Sequence, residues 1–226
     1  MNKKARIIPI RPDLDKDLSH LGDEFMDAAD DIPAMFKSTN KVQLSGRKGL
    51  KLTYQFKIKL RGTKKPPVWR RVLVPSQFTF SGLHAVIQEA FGWWDEHLYC
   101  FGDKPYSRSL TIAEISKDDW ETPDYDARKL TLGEFFGDGN EVKKLCYVYD
   151  FGDDWIHDIT LEKVLDQSSD HATCTAGKGA CPEEDSGGIW GYEEMKQNGE
   201  IDATDFDVEE IREGVEELSP TGYEHW

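Results

Sequence analysis

The residues best suited to chemistry lie between Tyr149 and His157. Asp150, Asp153 and Asp154 crowd into a five-residue stretch, and His157 follows Asp154 by three. Carboxylates beside an imidazole form an oxygen and nitrogen donor set for a divalent metal, or a carboxylate-oriented general base. Asp95, His97, Glu184 and Asp185 can extend this set, because the Glu184-Asp185 pair stands in a glycine-flanked loop able to reach across. The structural alternative is plain: Asp and Gly are ordinary turn formers, and a histidine on an apolar strand face is commonly a hydrogen-bonded core residue. His84, near Ile87, Gln88 and Phe91, reads as a core or edge histidine.

Trp69-Arg70-Arg71, with Trp93 and Trp94, places aromatic faces near guanidinium groups, a combination that can stack bases and hold phosphates. No helix-turn-helix, zinc-finger or RRM signature accompanies it. Cys174 and Cys181 are separated by six residues, outside the tight spacing of common structural zinc sites. Asp150-Phe-Gly152 shares its letters with the kinase magnesium motif, but no glycine-rich phosphate loop or His-Arg-Asp loop accompanies it, so that chemistry is excluded.

The elements that must position these groups show in the hydrophobic pattern. From Leu52 to Leu60 apolar residues occupy every second position, with Thr53, Gln55, Lys57 and Lys59 on the other face, as in a half-buried strand. Gly62 to Pro67 turns the chain, and Val68 to Val74 returns as a second strand. A helix with Ser81 as N-cap carries Leu83, Val86, Ile87, Ala90 and Phe91, and Gly92 closes it. His97 to Phe101 reads as a short aromatic strand, and Leu132 to Phe136 as a short helix. Leu145–Tyr149 and Trp155–Leu161 form a second hairpin, with His157 sharing a face with Trp155, Ile159 and Leu161. Residues 166–191 lack periodicity and read as loop. Leu14, Leu18, Leu21, Phe25 and Ala28 predict an amphipathic helix over 13–31, and Asp207 with Glu210 caps a last helix carrying Val208, Ile211, Val215 and Leu218. Strands and helices mix without a regular βαβ repeat, which predicts an α+β fold with a mainly antiparallel sheet, packed helices, and helical N- and C-terminal extensions.

The 226 residues carry a net charge of −15, distributed unevenly. Ile32 to Gln88 contains twelve Lys or Arg and no acid, whereas residues 89–226 carry −24. If the fold separates these halves, the basic 32–88 segment can attract nucleic acid; if it interleaves them, they neutralise each other as strand neighbours. No stretch is apolar enough to span a membrane, Met1 to Arg11 lacks the core of a secretory signal, and four scattered cysteines make no disulfide framework, so a cytoplasmic protein without membrane contact is expected.

Several phrases together resemble the plasmid pRiA4b ORF-3-like family. They are Lys65-Pro-Pro-Val-Trp-Arg-Arg71, Val74-Pro75, Leu83-His84, Phe91-Gly-Trp93, Asp95, His97-Leu98, Tyr147-Val-Tyr-Asp-Phe-Gly-Asp-Asp-Trp-Ile-His157, Leu161-Glu162, and Cys174 to Gly188 with Gly191-Tyr192. The resemblance covers roughly 51–195 and implies an α+β domain met on plasmids and near mobile elements, with no activity to carry over. It also frames three segments: an acidic arm and linker over 1–50, the domain over 51–195, and an acidic helical tail over 196–226. One departure is clear. Where the family's loop resembles Cys-Pro-Pro-Glu-Asp-Cys-Gly-Gly, this chain has Cys181-Pro-Glu-Glu-Asp-Ser-Gly-Gly188, which weakens a thiolate-metal reading.

The leading expectation is a non-catalytic binding or adaptor module, its partner an unknown protein or small-molecule ligand. Its cleft would be formed by the two hairpins and the Glu184-Asp185 loop, with Trp69, Trp93, Tyr149 and Trp155 giving apolar contact and Arg70, His97, Asp153 and His157 orienting polar groups. The alternative is a metal-dependent hydrolase, acting for example on a phosphoester, in which His97, Asp150, Asp153 and His157 hold a divalent metal and Glu184 or Asp185 handles protons. A third reading takes the basic segment as a nucleic-acid contact.

Overall fold

In the computed structural model of this chain, the described residues are 44, 46–116, 122–139, 141–167 and 169–223. The helix expected over 13–31 lies outside them.

The period-two pattern of the first strand is realised in β1 (Thr53–Leu60), where Tyr54, Phe56, Ile58 and Leu60 are at most 1% exposed. β2 (Trp69–Pro75) pairs with it antiparallel, burying Arg70, Val72 and Val74 on the same face. α1 (Phe80–Phe91) follows and is buried along nearly its whole length. Its N-cap is Thr79, not Ser81: the Thr79 hydroxyl accepts from the Gly82 amide at 3.0 Å, while Ser81 donates to Glu114. Gly92, at φ 73°, closes the helix in the left-handed conformation that glycine adopts without steric cost.

β3 (Tyr99–Gly102), β4 (Ile112–Ala113), β5 (Tyr125–Asp126) and α2 (Leu132–Phe136) come next, then β6 (Lys144–Tyr149), β7 (Trp155–Leu165), β8 (Thr173–Lys178), α3 (Gly188–Asn198) and α4 (Val208–Glu216). The eight strands make one sheet in the order β5-β4-β3-β6-β7-β1-β2-β8, antiparallel except between β4 and β5. The two expected hairpins therefore lie side by side, joined through β1 and β7. An α+β fold with a mostly antiparallel sheet is what the chain adopts. Two elements fall inside the span read as loop: β8, and the start of α3.

One face of the sheet carries the apolar core. The other presents Gln55, Lys57, Lys59, Trp69 and Arg71, and there the charges interleave. A bulge in the β1–β7 register between Gln55 and Phe56 leaves Glu162 unpaired, and it accepts from Arg71 at 2.6 and 3.0 Å and from Gln55 at 2.7 Å. Arg61 pairs with Asp158, which also stands opposite Lys59.

The described residues from Leu44 to Tyr223 belong to one compact unit. α4 packs against β8 and α1, Val215 is fully buried, and the Pro220 carbonyl accepts from the Thr79 amide at 2.9 Å. Among the described residues no helix is long and apolar enough to cross a membrane.

Candidate functional site

At one end of the sheet three segments meet: the loop 93–98 before β3, the β6–β7 turn 150–154, and the loop 182–187 leading into α3. Beneath them lies a block of aromatic rings. Trp93 stacks on Tyr149 at 5.2 Å between centroids and meets Trp155 at 5.7 Å and His157 edge-on at 5.3 Å. All four are at most 3% exposed. They fill the space that sequence reasoning left for an open cleft and act as its packed floor.

His157 lies inside this block, edge-on to Phe91 at 4.7 Å. Its Nδ1 donates to the Trp155 carbonyl at 3.1 Å, and no hydrogen bond reaches Nε2. Burial holds its pKa down at about 3, so it is a neutral core histidine at any physiological pH.

A closed ring of hydrogen bonds sets the first loop. The Asp95 amide donates to Gln88 Oε1 at 3.0 Å, Gln88 Nε2 donates to the Tyr147 hydroxyl at 3.0 Å, and that hydroxyl meets His84 Nδ1 at 2.7 Å. His84 Nε2 closes the ring on Asp95 Oδ1 at 2.6 Å. The carboxylate oxygen accepts, so Nε2 donates to Asp95, and the Tyr147 hydroxyl bridges His84 Nδ1 and the Gln88 amide. Burial raises the Tyr147 phenol far above its ordinary range, which keeps this hydroxyl protonated.

A second set of bonds ties the third segment down. Glu184 accepts from the Trp94 amide at 3.0 Å and from the Tyr149 hydroxyl, which itself accepts from the Glu96 amide at 3.0 Å. Trp93 Nε1 donates to the Pro182 carbonyl at 2.9 Å, and the Gly187 amide to Asp153 Oδ2 at 3.0 Å. Gly188 has φ 65°, and a Cβ there would stand 2.5 Å from the Asp153 carbonyl oxygen, so the approach of the loop to the turn needs glycine.

The result is a polar cluster. His97 Nε2 lies 3.1 Å from Asp185 Oδ1 and 3.8 Å from Asp150 Oδ2. The four metal ligands expected from sequence therefore divide: His97 and Asp150 meet, with Asp185 as the third member, whereas Asp153 turns to the Gly187 amide and His157 is enclosed in the core.

Two expected cleft residues lie elsewhere. Trp69 is on the outer sheet face, with Lys57 Nζ 4.7 Å and Arg71 Cζ 5.3 Å from its ring. Arg70 points to the opposite face, since neighbours on a strand alternate. It is 2% exposed and donates to the carbonyls of Ala90, Trp69, Lys178 and Gly179 at 2.7–3.2 Å, at the side of a cleft of about 390 Å³ between α1 and the approach to α4. Its guanidinium is a structural cation linking β2, β8 and the end of α1.

What the pattern did not reveal is the rim. The described residues include six exposed large hydrophobic side chains: Leu44, Trp94, Leu98, Tyr106, Phe151 and Trp190. Trp94, Leu98 and Phe151 stand on two of the meeting segments, and Trp190 stands just beyond the third, in the first turn of α3. Tyr106 joins them through an edge-on contact with Phe151 at 6.0 Å and a hydrogen bond to Asp154. The available signal was a large apolar residue in a glycine-bearing stretch, as in Asp150-Phe-Gly152 and Gly188-Ile-Trp-Gly191.

The chain is 37% identical over 132 residues to an uncharacterised protein, y4hQ, of Sinorhizobium fredii, a match over 58% of this chain and 65% of that relative, just under two thirds of its length. It is similar to the crystal structure of a protein of unknown function, MM3350, from Methanosarcina mazei Go1, with a TM-score of 0.62 and 33% identity, covering 73% of this chain and 98% of that one. Residues 52–224, from β1 to beyond α4, match the family described as plasmid pRiA4b ORF-3-like protein, and the chain is a member of that family.

Proposed function

We propose that this domain is a non-catalytic binding module whose recognition surface is the acidic, aromatic-rimmed corner, and that its ligand is a basic protein segment with apolar anchors. One observation carries this reading: four of the six exposed large hydrophobic side chains among the described residues belong to the three meeting loops or the residues directly after them, and a fifth, Tyr106, contacts Phe151. Scattered exposed apolar residues are normal, but a group including two tryptophans at 77% and 85% exposure marks an interaction surface. Segments 93–98, 150–154 and 182–190 carry eight carboxylates and no lysine or arginine. Tryptophan faces amid that charge favour guanidinium and ammonium groups, by cation–π contact and by ion pairing.

Catalysis is less well supported, because His157 is enclosed and the Tyr147 and Tyr149 phenols are raised far from a nucleophilic range, both chiefly by burial. Nucleic-acid binding through the basic hairpin is opposed by Glu162 and Asp158, which already pair with Arg71 and Arg61.

The test is a fluorescence-anisotropy titration with two labelled peptide libraries, one alternating Arg with Leu or Phe and one with Glu in place of Arg. The basic library should bind selectively, and Trp94→Ala combined with Trp190→Ala should weaken it at least tenfold without loss of folding. Equal binding of both libraries, or binding unaffected by the double substitution, refutes the assignment.

A further inference from the structure

We infer that His97, Asp150 and Asp185 form a binding site for one divalent transition-metal ion. Each residue comes from a different segment, and one donor atom from each lies within 4.8 Å of the others. For any such triangle a point exists within about 2.8 Å of all three corners, so a sub-ångström closure reaches ordinary metal–nitrogen and metal–oxygen distances of about 2.0–2.2 Å.

Two details set this group apart from an ordinary acidic surface. First, His97 Nε2 is shielded from solvent and makes no hydrogen bond, although Asp185 Oδ1 is 3.1 Å away. Second, Asp150 is only 8% exposed, and its Oδ1 accepts from the Gly152 amide at 2.8 Å. Its Oδ2 has no Lys or Arg within 4 Å among the described residues, only the imidazole at 3.8 Å. A buried carboxylate is expected to be paired or to coordinate a metal. A cation between Nε2 and the two carboxylates satisfies all three groups together.

The donor set selects the class of ion. One imidazole with two carboxylates suits zinc, manganese or cobalt, whereas calcium and magnesium prefer oxygen alone. Three protein ligands leave positions for water, and the Asp185 side chain, 69% exposed, lies on the open side. The ion would tie the loop before α3 to the floor of the corner. This assignment does not depend on the peptide-binding reading, and either can fail alone.

The test uses the untagged full chain, stripped with chelator and titrated calorimetrically with Zn²⁺, Mn²⁺ and Co²⁺, alongside Asp185→Asn, His97→Ala and, as control, His171→Ala on the exposed surface. One equivalent of Zn²⁺ or Co²⁺ should bind, with a weak Co²⁺ visible spectrum lacking the intense near-ultraviolet thiolate band. Asp185→Asn, a near-isosteric change at an exposed side chain, should weaken binding at least a hundredfold, and His171→Ala should not. No saturable binding up to millimolar metal overturns the site, as does binding that survives both Asp185→Asn and His97→Ala.

Discussion

Lowering the pH should destabilise this protein through His157, by an amount the structure sets. The side chain is fully buried, its pKa lies at about 3, and the unfolded chain restores about 6.5. A histidine with a depressed folded pKa leaves the unfolded state binding more protons at every pH between the two values. Its contribution to stability is therefore intact above pH 6.5 and declines as the pH falls towards 3. Linkage between these values gives a loss of about 2 kcal/mol at pH 5 relative to pH 8. His157→Leu keeps a similar volume and removes the titration. It gives up the bond to the Trp155 carbonyl and relieves the unpartnered Nε2, two changes of order 1 kcal/mol and opposite sign. The assay is urea unfolding at pH 8, 6.5 and 5 for both proteins. Asp126 and Glu162, whose carboxyls are held below their ordinary values, also lose stability in acid but cancel between the two proteins. The variant should gain on wild type by about 2 kcal/mol as the pH falls from 8 to 5. Parallel pH profiles would refute the placement of a neutral histidine in the aromatic block.

Three further outcomes are expected. Tyr147→Phe opens the hydrogen-bond ring and leaves Gln88 Nε2 and His84 Nδ1 buried without their partner, and should cost about 2–4 kcal/mol by urea unfolding. Gly188→Ala places a Cβ 2.5 Å from the Asp153 carbonyl oxygen at a positive φ, and should cost about 1–3 kcal/mol and speed protease cleavage in loop 182–187. Burial raises all four thiols, Cys100 and Cys146 to about 11 and Cys181 to about 12, so Ellman's reagent at pH 8 should react slowly with the native protein and promptly with four thiols in urea.

The legible part of the fold is the part where burial is one-sided. β1 and β7 each turn an apolar face to the core and a more polar one outward, so alternation marks them, whereas β6 is buried on both faces and reads as a short apolar and aromatic run; Gly92 and Asp207 mark helix ends that the structure shows. β8 escaped because it is an edge strand with Cys174 as its one fully buried side chain, and Thr-Cys-Thr-Ala-Gly-Lys has little contrast to read. α3 escaped for a similar reason: it buries Gly188 and Tyr192 alone and begins at a glycine with no side-chain cap. At the site, the meeting of His97 with Asp185 depends on a fold-level approach of loops nearly 90 residues apart, which no local pattern encodes. Placing Trp69 and Arg70 in one cleft conflicts with strand alternation itself, which sends adjacent side chains to opposite faces.

The corner is built to hold loops still. Trp94 is 77% exposed, yet its backbone lies between Trp93, fixed by the Pro182 carbonyl, and Asp95, fixed in the hydrogen-bond ring. Its own amide is bonded to Glu184. An exposed tryptophan on a fixed backbone has only its two side-chain torsions left to order on binding, so little entropy opposes its use as an anchor. Asp95, Asp150, Asp154 and Asp185 all adopt left-handed φ between 53° and 60°, a conformation non-glycine residues enter at some cost. Four such residues at one corner are held there by the aromatic floor and the bonds between loops. The same fixing lets three acidic segments approach one another despite their repulsion, and that repulsion is the field a cation, free or carried on a peptide, would relieve.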